Sequence, residues 1–346
     1  PLVLGVSKEI PNPGDYKAIE ALGVPVLIVR NSKNEVKAYL NACIHRGAAL
    51  VEEGIGNKRR FSCPYHGWTY NEDGSLMGIT SQQDFGNLEK NCNSLISLPV
   101  LEKAGIIWVI LNSESNIDME KFLSGYDEML DLFDLKNWHV FSTRVLKGPN
   151  WKVAYDGYLD LYHLPVLHSE TFGKEISNQA NYYEWGPHQR VVSPFARISS
   201  SEQGGVLEGD PNVPIEDWPM DMLMAGVWTI FPNVSIASFR GGGRSIMLSQ
   251  LMPGETPEES YTTQYYLMEN EPTKEQEIEA EKQFDLLEYV VREEDYSTGI
   301  KLQKALKTGM IKNVMFGKNE GGGQCFHGWV DKILNTSDKK LPSLFD

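Results

Sequence analysis

Hydrophobic patterning divides the chain into a front part made of strands and a rear part that mixes strands with helices. Val26-Leu27-Ile28-Val29 is an unbroken aliphatic run, Val36 to Leu40 alternates, and Ile106-Ile107-Trp108-Val109-Ile110 reads as a strand buried on both faces. Asn71-Glu72-Asp73-Gly74-Ser75 is a turn cluster between strands, so the front part is expected to be a small β domain. The polar stretch Asn112-Ser113-Glu114-Ser115-Asn116 marks a boundary, giving domains at 1–112 and 113–346. Behind it Met119 to Leu135 has helical periodicity, and the middle alternates strand-like runs with Gly and Pro breaks. Thr273-Lys274-Glu275-Gln276 is a capping box, opening a helix whose Phe284, Leu287 and Val291 share one face. Gly241–Gly243 and Gly321–Gly323 read as hairpin turns. Neither sits between a strand and a helix as a phosphate or dinucleotide fingerprint requires, so no flavin or nicotinamide is expected on this chain.

Composition narrows the classes. A length of 346 residues predicts two domains, and no apolar run is long enough to cross a bilayer. Pro1-Leu2 opens on no basic region or cleavage signal, which makes the cytoplasm the expected compartment. A net charge of -15 argues against nucleic acid, since phosphate binding needs a basic face. Of four cysteines, Cys92 and Cys325 are expected to be reduced packing thiols, and no disulfide framework is implied.

The other two cysteines carry the chemistry. Cys43-Ile44-His45 and Cys63-Pro64-Tyr65-His66 each offer one thiolate and one imidazole from a turn. Zinc motifs usually pair like with like, whereas a Rieske [2Fe-2S] cluster needs two cysteines on one iron and two histidines on the other. A zinc knuckle is the competing reading. Gly47, Pro64 and Gly67 allow the chain to bend around the sulfides and aim N–H groups at them. Imidazole ligation raises the potential and couples electron transfer to protons at His45 and His66, which makes the cluster an electron carrier.

A second constellation lies at Asp160-Leu161-Tyr162-His163-Leu164-Pro165-Val166-Leu167-His168, with Asp295 at a distance. Two imidazoles and a carboxylate on one face of an Fe(II) make the facial triad of non-haem oxygenases. His163 and His168 would diverge by about 140° on an unbroken helix, at ~100° per residue. Pro165 is expected to break that helix and swing His168 toward the metal. Among Glu293, Glu294 and Asp295, only Asp295 continues the apolar stripe of Phe284, Leu287 and Val291, while the glutamates are expected to face solvent. Asp160 falls on the same helical face as His163, within reach of its outer N–H, with Asp156 one turn earlier.

The strings Cys-Ile-His-Arg-Gly-Ala-Ala-Leu (43–50) and Cys-Pro-Tyr-His-Gly-Trp-Thr-Tyr (63–70) resemble the Rieske domain of the ring-hydroxylating non-haem iron oxygenases. Asn150-Trp151-Lys152 and the Glu294-Asp295 pair ahead of a helix containing Gln303 also fit that family. The resemblance implies the α (catalytic) subunit and an α+β fold. An N-terminal all-β Rieske domain would precede a catalytic domain with a central antiparallel sheet flanked by helices, helix-grip-like. It implies a [2Fe-2S] cluster on Cys43, His45, Cys63 and His66, and Fe(II) on His163, His168 and Asp295. It also implies O2 and a small organic substrate, and electrons from NAD(P)H through a separate reductase, with or without a ferredoxin. Assembly as a homotrimer follows, with or without a β subunit, and no membrane or nucleic-acid partner. Asp160 would bridge His163 to His66 of a neighbouring chain. Ring hydroxylation, cis-dihydroxylation and oxidative N- or O-demethylation, quaternary amines included, share this triad. A pure Rieske electron carrier would leave His163, His168 and Asp295 unexplained. Relatives usually carry more chain before the first strand, so the N-terminus looks trimmed, and many hold an asparagine near the iron where Asp156 stands. Trp228, Phe231, Phe239 and Phe195 are candidates for an aromatic pocket, although ordinary strand packing is favoured for them.

Overall fold

The computed structural model describes every residue except 87, 89, 174–175, 193–213 and 215–216, so Phe195 lies outside the described residues. The chain forms two compact units, Pro1–Met119 and Glu120–Asp346.

The first unit is built of antiparallel sheets. Gly54–Asn57, Asp15–Ala21, Val24–Arg30, Val36–Leu40 and Ser97–Leu98 make a five-stranded sheet in that order. Leu2–Val6, Ile106–Val109 and Val100–Lys103 make a second, with the Ile106 strand in the centre and buried throughout as its uniform apolarity requires. Arg60–Ser62, Thr69–Asn71 and Leu76–Gly78 form a small third sheet, the last two strands joined by the predicted Asn71–Ser75 turn. Leu27, Tyr39, Phe61, Trp68 and Tyr70 pack into one core together with Cys43 and Cys63.

The second unit is organised on a seven-stranded antiparallel sheet. Its strands run His139–Gly148, Ser260–Met268, Ser245–Pro253, Val234–Phe239, Val227–Ile230, His188–Val192 and Asn181–Trp185 across the sheet. Helix Lys274–Tyr289 opens on the expected capping box, in which Thr273 Oγ1 accepts from Gln276 N and Gln276 Oε1 from Thr273 N. It runs without interruption into a π-helical turn at Val290–Tyr296 and then helix Ser297–Lys307.

Three expectations need correction here. Met119 to Leu135 is not one helix but two short ones, Met119–Leu123 and Tyr126–Asp131. The break comes where Ser124 and Gly125 take positive φ (53° and 80°), ahead of a 3-10 turn at Leu135–Asn137. Gly241–Gly243 does join two strands, but Gly321–Gly323 opens helix Gly321–Leu334. A Cβ on Gly322 would stand 2.2 Å from the Leu159 carbonyl oxygen, so close backbone packing explains that glycine. Cys92 is exposed rather than packed, and none of the four cysteines is joined in a disulfide. Among the described residues no helix is long and apolar enough to cross a membrane.

Candidate active site

The two ligand loops of the first unit repeat one hydrogen-bond pattern. Cys43 N donates to Ala48 O (2.8 Å) and Gly47 N to Cys43 O (2.7 Å); Cys63 N donates to Trp68 O (2.7 Å) and Gly67 N to Cys63 O (3.0 Å). Each loop closes through a glycine at positive φ, 78° and 72°, where a side chain would be strained. The turns bring the His45 and His66 rings to 4.7 Å between centroids, with Trp68 stacked on His45. Cys43 and Cys63 are buried, and Tyr70 holds the first loop by accepting from Ile44 N and lying 3.3 Å from Cys43 Sγ. Burial pushes the Cys43 thiol above its ordinary range despite the opposing Tyr70 hydrogen bond. The Nδ1 atoms of His45 and His66 are buried without a hydrogen-bond partner. Two orphaned imidazole nitrogens beside two buried thiols fit a bound metal cluster, which would satisfy all four.

In the second unit His163, His168 and Asp295 each turn one ligand atom to a common point, all within 4.8 Å of one another. His168 Nε2 lies 3.1 Å and His163 Nε2 3.7 Å from Asp295 Oδ1. The local route differs from the expected kinked helix. Helix Trp151–Asp156 ends before the motif, and a separate short helix, Leu164–Leu167, starts with His163 as its N-cap, Pro165 in its first turn and His168 at its end. Pro165 therefore begins a helix, where its fixed φ is favourable, instead of breaking one. Asp160 reaches His163 from a turn rather than from a shared helical face: its Oδ1 accepts from His163 N at 3.1 Å and from Nδ1 at 3.0 Å. That contact assigns the proton to Nδ1 and leaves Nε2 free for a metal. Burial raises the Asp160 carboxyl, but the bonds and charge of His163 outweigh it and hold the group below the usual carboxylate value.

Glu294 corrects the expectation that it faces solvent. Its side chain is 13% exposed, and Oε2 accepts from His168 Nδ1 at 2.7 Å and Thr171 Oγ1 at 3.1 Å. A regular helix would separate adjacent side chains by ~100°. The π turn at Val290–Tyr296 changes that spacing and brings Asp295 to Nε2 and Glu294 to Nδ1 of the same imidazole. Asp156 does not face Asp160; its Oδ1 lies 2.8 Å from His327 Nε2, a pair that spacing within one segment could not disclose.

A cavity of about 270 Å³ adjoins the triad, with walls that include Phe172, Val192, Val227, Phe239, Met247 and Leu287. Phe239 thus lines the cavity, whereas Trp228 is fully buried in packing with Phe133 and Trp185, and Phe231 is also buried.

Residues 135–336 match the ring-hydroxylating α-subunit catalytic domain, and residues 1–96 match the Rieske [2Fe-2S] domain. The chain belongs to the ring-hydroxylating α-subunit family. As a member of that family, it has a Rieske cluster in its first domain and a mononuclear iron in its second implied by the two matched domains. The donor sets described above fit both centres. The chain is 30% identical over 228 residues to the carnitine monooxygenase oxygenase subunit of Acinetobacter baumannii, covering 64% of this chain and 58% of that protein. It thus spans less than two thirds of that relative's length. The fold is shared with a quaternary ammonium Rieske monooxygenase (TM-score 0.76, 21% identity, 96% of this chain and 88% of that one). It is shared equally with a naphthalene 1,2-dioxygenase from Rhodococcus sp. solved with indole bound (TM-score 0.77, 20% identity, 96% and 88%).

Proposed function

We propose that this chain is the terminal oxygenase of a multicomponent system, hydroxylating a small uncharged, largely apolar substrate with O2 and NAD(P)H-derived electrons. The observation that carries this reading is the cavity against the triad. Its described walls are largely aliphatic and aromatic, and the carboxylates and imidazoles among its described lining, Asp160, His163, His168 and Asp295, are already engaged with one another. Iron held by His163, His168 and Asp295 would supply oxygen activation. The cavity that these residues line would take the substrate. Phe172, Phe239 and Met247 hold an apolar ring by contact and exclude water from it. Asp160 and Glu294 keep each imidazole in the tautomer whose Nε2 faces the metal.

Electrons enter at the Cys43, His45, Cys63 and His66 site from a separate reductase. Assembly as a homotrimer, with Asp160 bridging to His66 of the next chain, is supported by the Asp160 side chain remaining 20% exposed while it holds His163. The second reading, oxidation of a quaternary amine, draws on the carnitine monooxygenase relative.

Oxygen uptake by the reconstituted protein separates the two. Indole and naphthalene are expected to stimulate uptake with hydroxylated product, and L-carnitine and benzoate are not. Stimulation by L-carnitine alone would transfer the assignment to the amine reading.

A further inference from the structure

One face of the central sheet carries a line of polar side chains where a core is expected to be apolar. Arg144 pairs with Gln264, Gln264 with Ser249, Ser249 with Ser235, Ser235 with Thr229 and Thr229 with Gln189, so six successive strands place a polar residue at one level. Side chains directly opposite across strands share a face. Gln264 and Ser249 are fully buried, and Ser235, Thr229 and Gln189 nearly so. Arg144 Nε donates to Gln264 Oε1 at 2.7 Å, yet Arg144 Nη2, Gln264 Nε2, Ser249 Oγ, Ser235 Oγ and Gln189 Oε1 have no hydrogen-bond partner. The Tyr158 hydroxyl lies beside Ser249, Gln264 and Tyr296 and makes no hydrogen bond of normal geometry either.

Each unsatisfied buried group costs about 1–3 kcal/mol. Such a cost repeated along one line would be relieved by water bridging these groups, since a buried water takes two to four polar partners. At one end of the line Arg144 Nη1 reaches Glu288 at 3.3 Å, and the Glu288 side chain is 30% exposed. The strand line itself runs on to buried Gln189, while Tyr158 meets it from the side at Gln264 and Ser249 and stands in the wall of the cavity that adjoins the triad.

We propose that this polar line holds a file of internal water running from the Arg144–Glu288 pair past Gln264 and Ser249 to Tyr158, and that the file delivers protons to the oxygenase pocket. The catalytic role rests on the oxygenase reading above. Hydroxylation takes O2, two electrons from the reductase and two protons: one oxygen atom enters a C–H bond as C–OH and the other leaves as water. Cis-dihydroxylation takes the same two electrons and two protons to finish both hydroxyls. The apolar walls of the cavity do not carry protons, whereas a hydroxyl between waters passes one on by accepting on one side and donating on the other.

The test uses the iron-loaded protein. A high-resolution crystal structure should show ordered water bridging Tyr158 Oη, Ser249 Oγ, Gln264 Nε2 and Arg144 Nη2, and a dry line overturns the file whatever the protein turns over. In single turnovers of pre-reduced protein with O2 and indole, Tyr158→Phe and Gln264→Met should each slow product formation at least about tenfold and enlarge the difference between H2O and D2O. Gln264 is not part of the cavity wall, so an equal effect there cannot come from a reshaped substrate site. Ser249→Ala serves if either variant fails to fold. Parent-like rates and isotope effects in folded variants would overturn the proton role. A parent that leaves indole untouched while the waters are in place would instead sink the oxygenase reading, and the catalytic role with it, leaving a hydration site.

Discussion

Removing the Glu294 carboxylate should weaken iron binding without disturbing the ligands themselves. His168 is almost completely buried, and its Nδ1 proton is met by Glu294 Oε2 at 2.7 Å. In Glu294→Ala that N–H has no partner in the described surroundings, and Thr171 Oγ1 loses its 3.1 Å contact as well. Leaving one buried donor unsatisfied costs about 1–3 kcal/mol, which corresponds to roughly 5- to 150-fold in an equilibrium constant. Loss of outer partners of metal-bound histidines typically costs about 10- to 100-fold, in agreement. Glu294→Gln keeps an accepting oxygen but removes the charge, so it should fall between parent and alanine variant. Competition of the apoprotein against a chelator of known strength, with Fe(II) or Co(II), measures the affinity directly. An alanine variant within about twofold of the parent would refute the reasoning, and so would a glutamine variant weaker than alanine.

Asp160→Asn should retain both iron centres while electron transfer to the mononuclear site falls by roughly 10- to 100-fold, visible as a cluster that stays reduced after rapid mixing with O2 and substrate. Oxidation at the parental rate would rule out the bridge. Cys63→Ser should bleach the protein and abolish the rhombic resonance signal of the reduced cluster, with the second unit's iron retained. Glu102→Gln should destabilise the first unit by about 1–3 kcal/mol, because the Arg30 fork loses the carboxylate that meets both of its nitrogens at 2.5 and 3.0 Å. Burial raises Glu102, but Arg30 and Ser7 outweigh it and hold the carboxyl below its usual value. A depressed carboxylate stabilises the fold above its unfolded pKa and loses that contribution as pH falls through the folded value. The parent should therefore lose its advantage over Glu102→Gln in acid, as thermal melts across pH would record.

The Rieske loops were legible because all four ligands lie within 24 residues and each loop closes on its own glycine, so nearly everything that shapes them is local. The strands of the first unit were legible for a similar reason: runs such as Val26–Val29 carry their burial in their composition. The gathering of His163, His168 and Asp295 was legible by residue type, but the path that brings them together was not. Counting at 3.6 residues per turn selects Asp295 and sends Glu294 to solvent, an error that arises because the π turn at Val290–Tyr296 alters the angular step. The divergence of His163 and His168 on an unbroken helix makes Pro165 read as a breaker, whereas Asp160 accepts from the His163 backbone at the start of a new helix. Gly321–Gly323 looked like a turn because a glycine's packing partner, here the Leu159 carbonyl, is invisible along the chain. The polar line across the sheet was equally hidden, since Ser249, Gln264 and Ser235 become neighbours only through strand register.

Iron analysis coupled to resonance spectroscopy on parent and Asp295→Ala proteins tests the central claim most directly. The account predicts three irons per parent chain, and two in Asp295→Ala with the rhombic cluster signal unchanged and substrate-dependent oxygen uptake gone. Two irons in the parent, or three in an active Asp295→Ala, would contradict it.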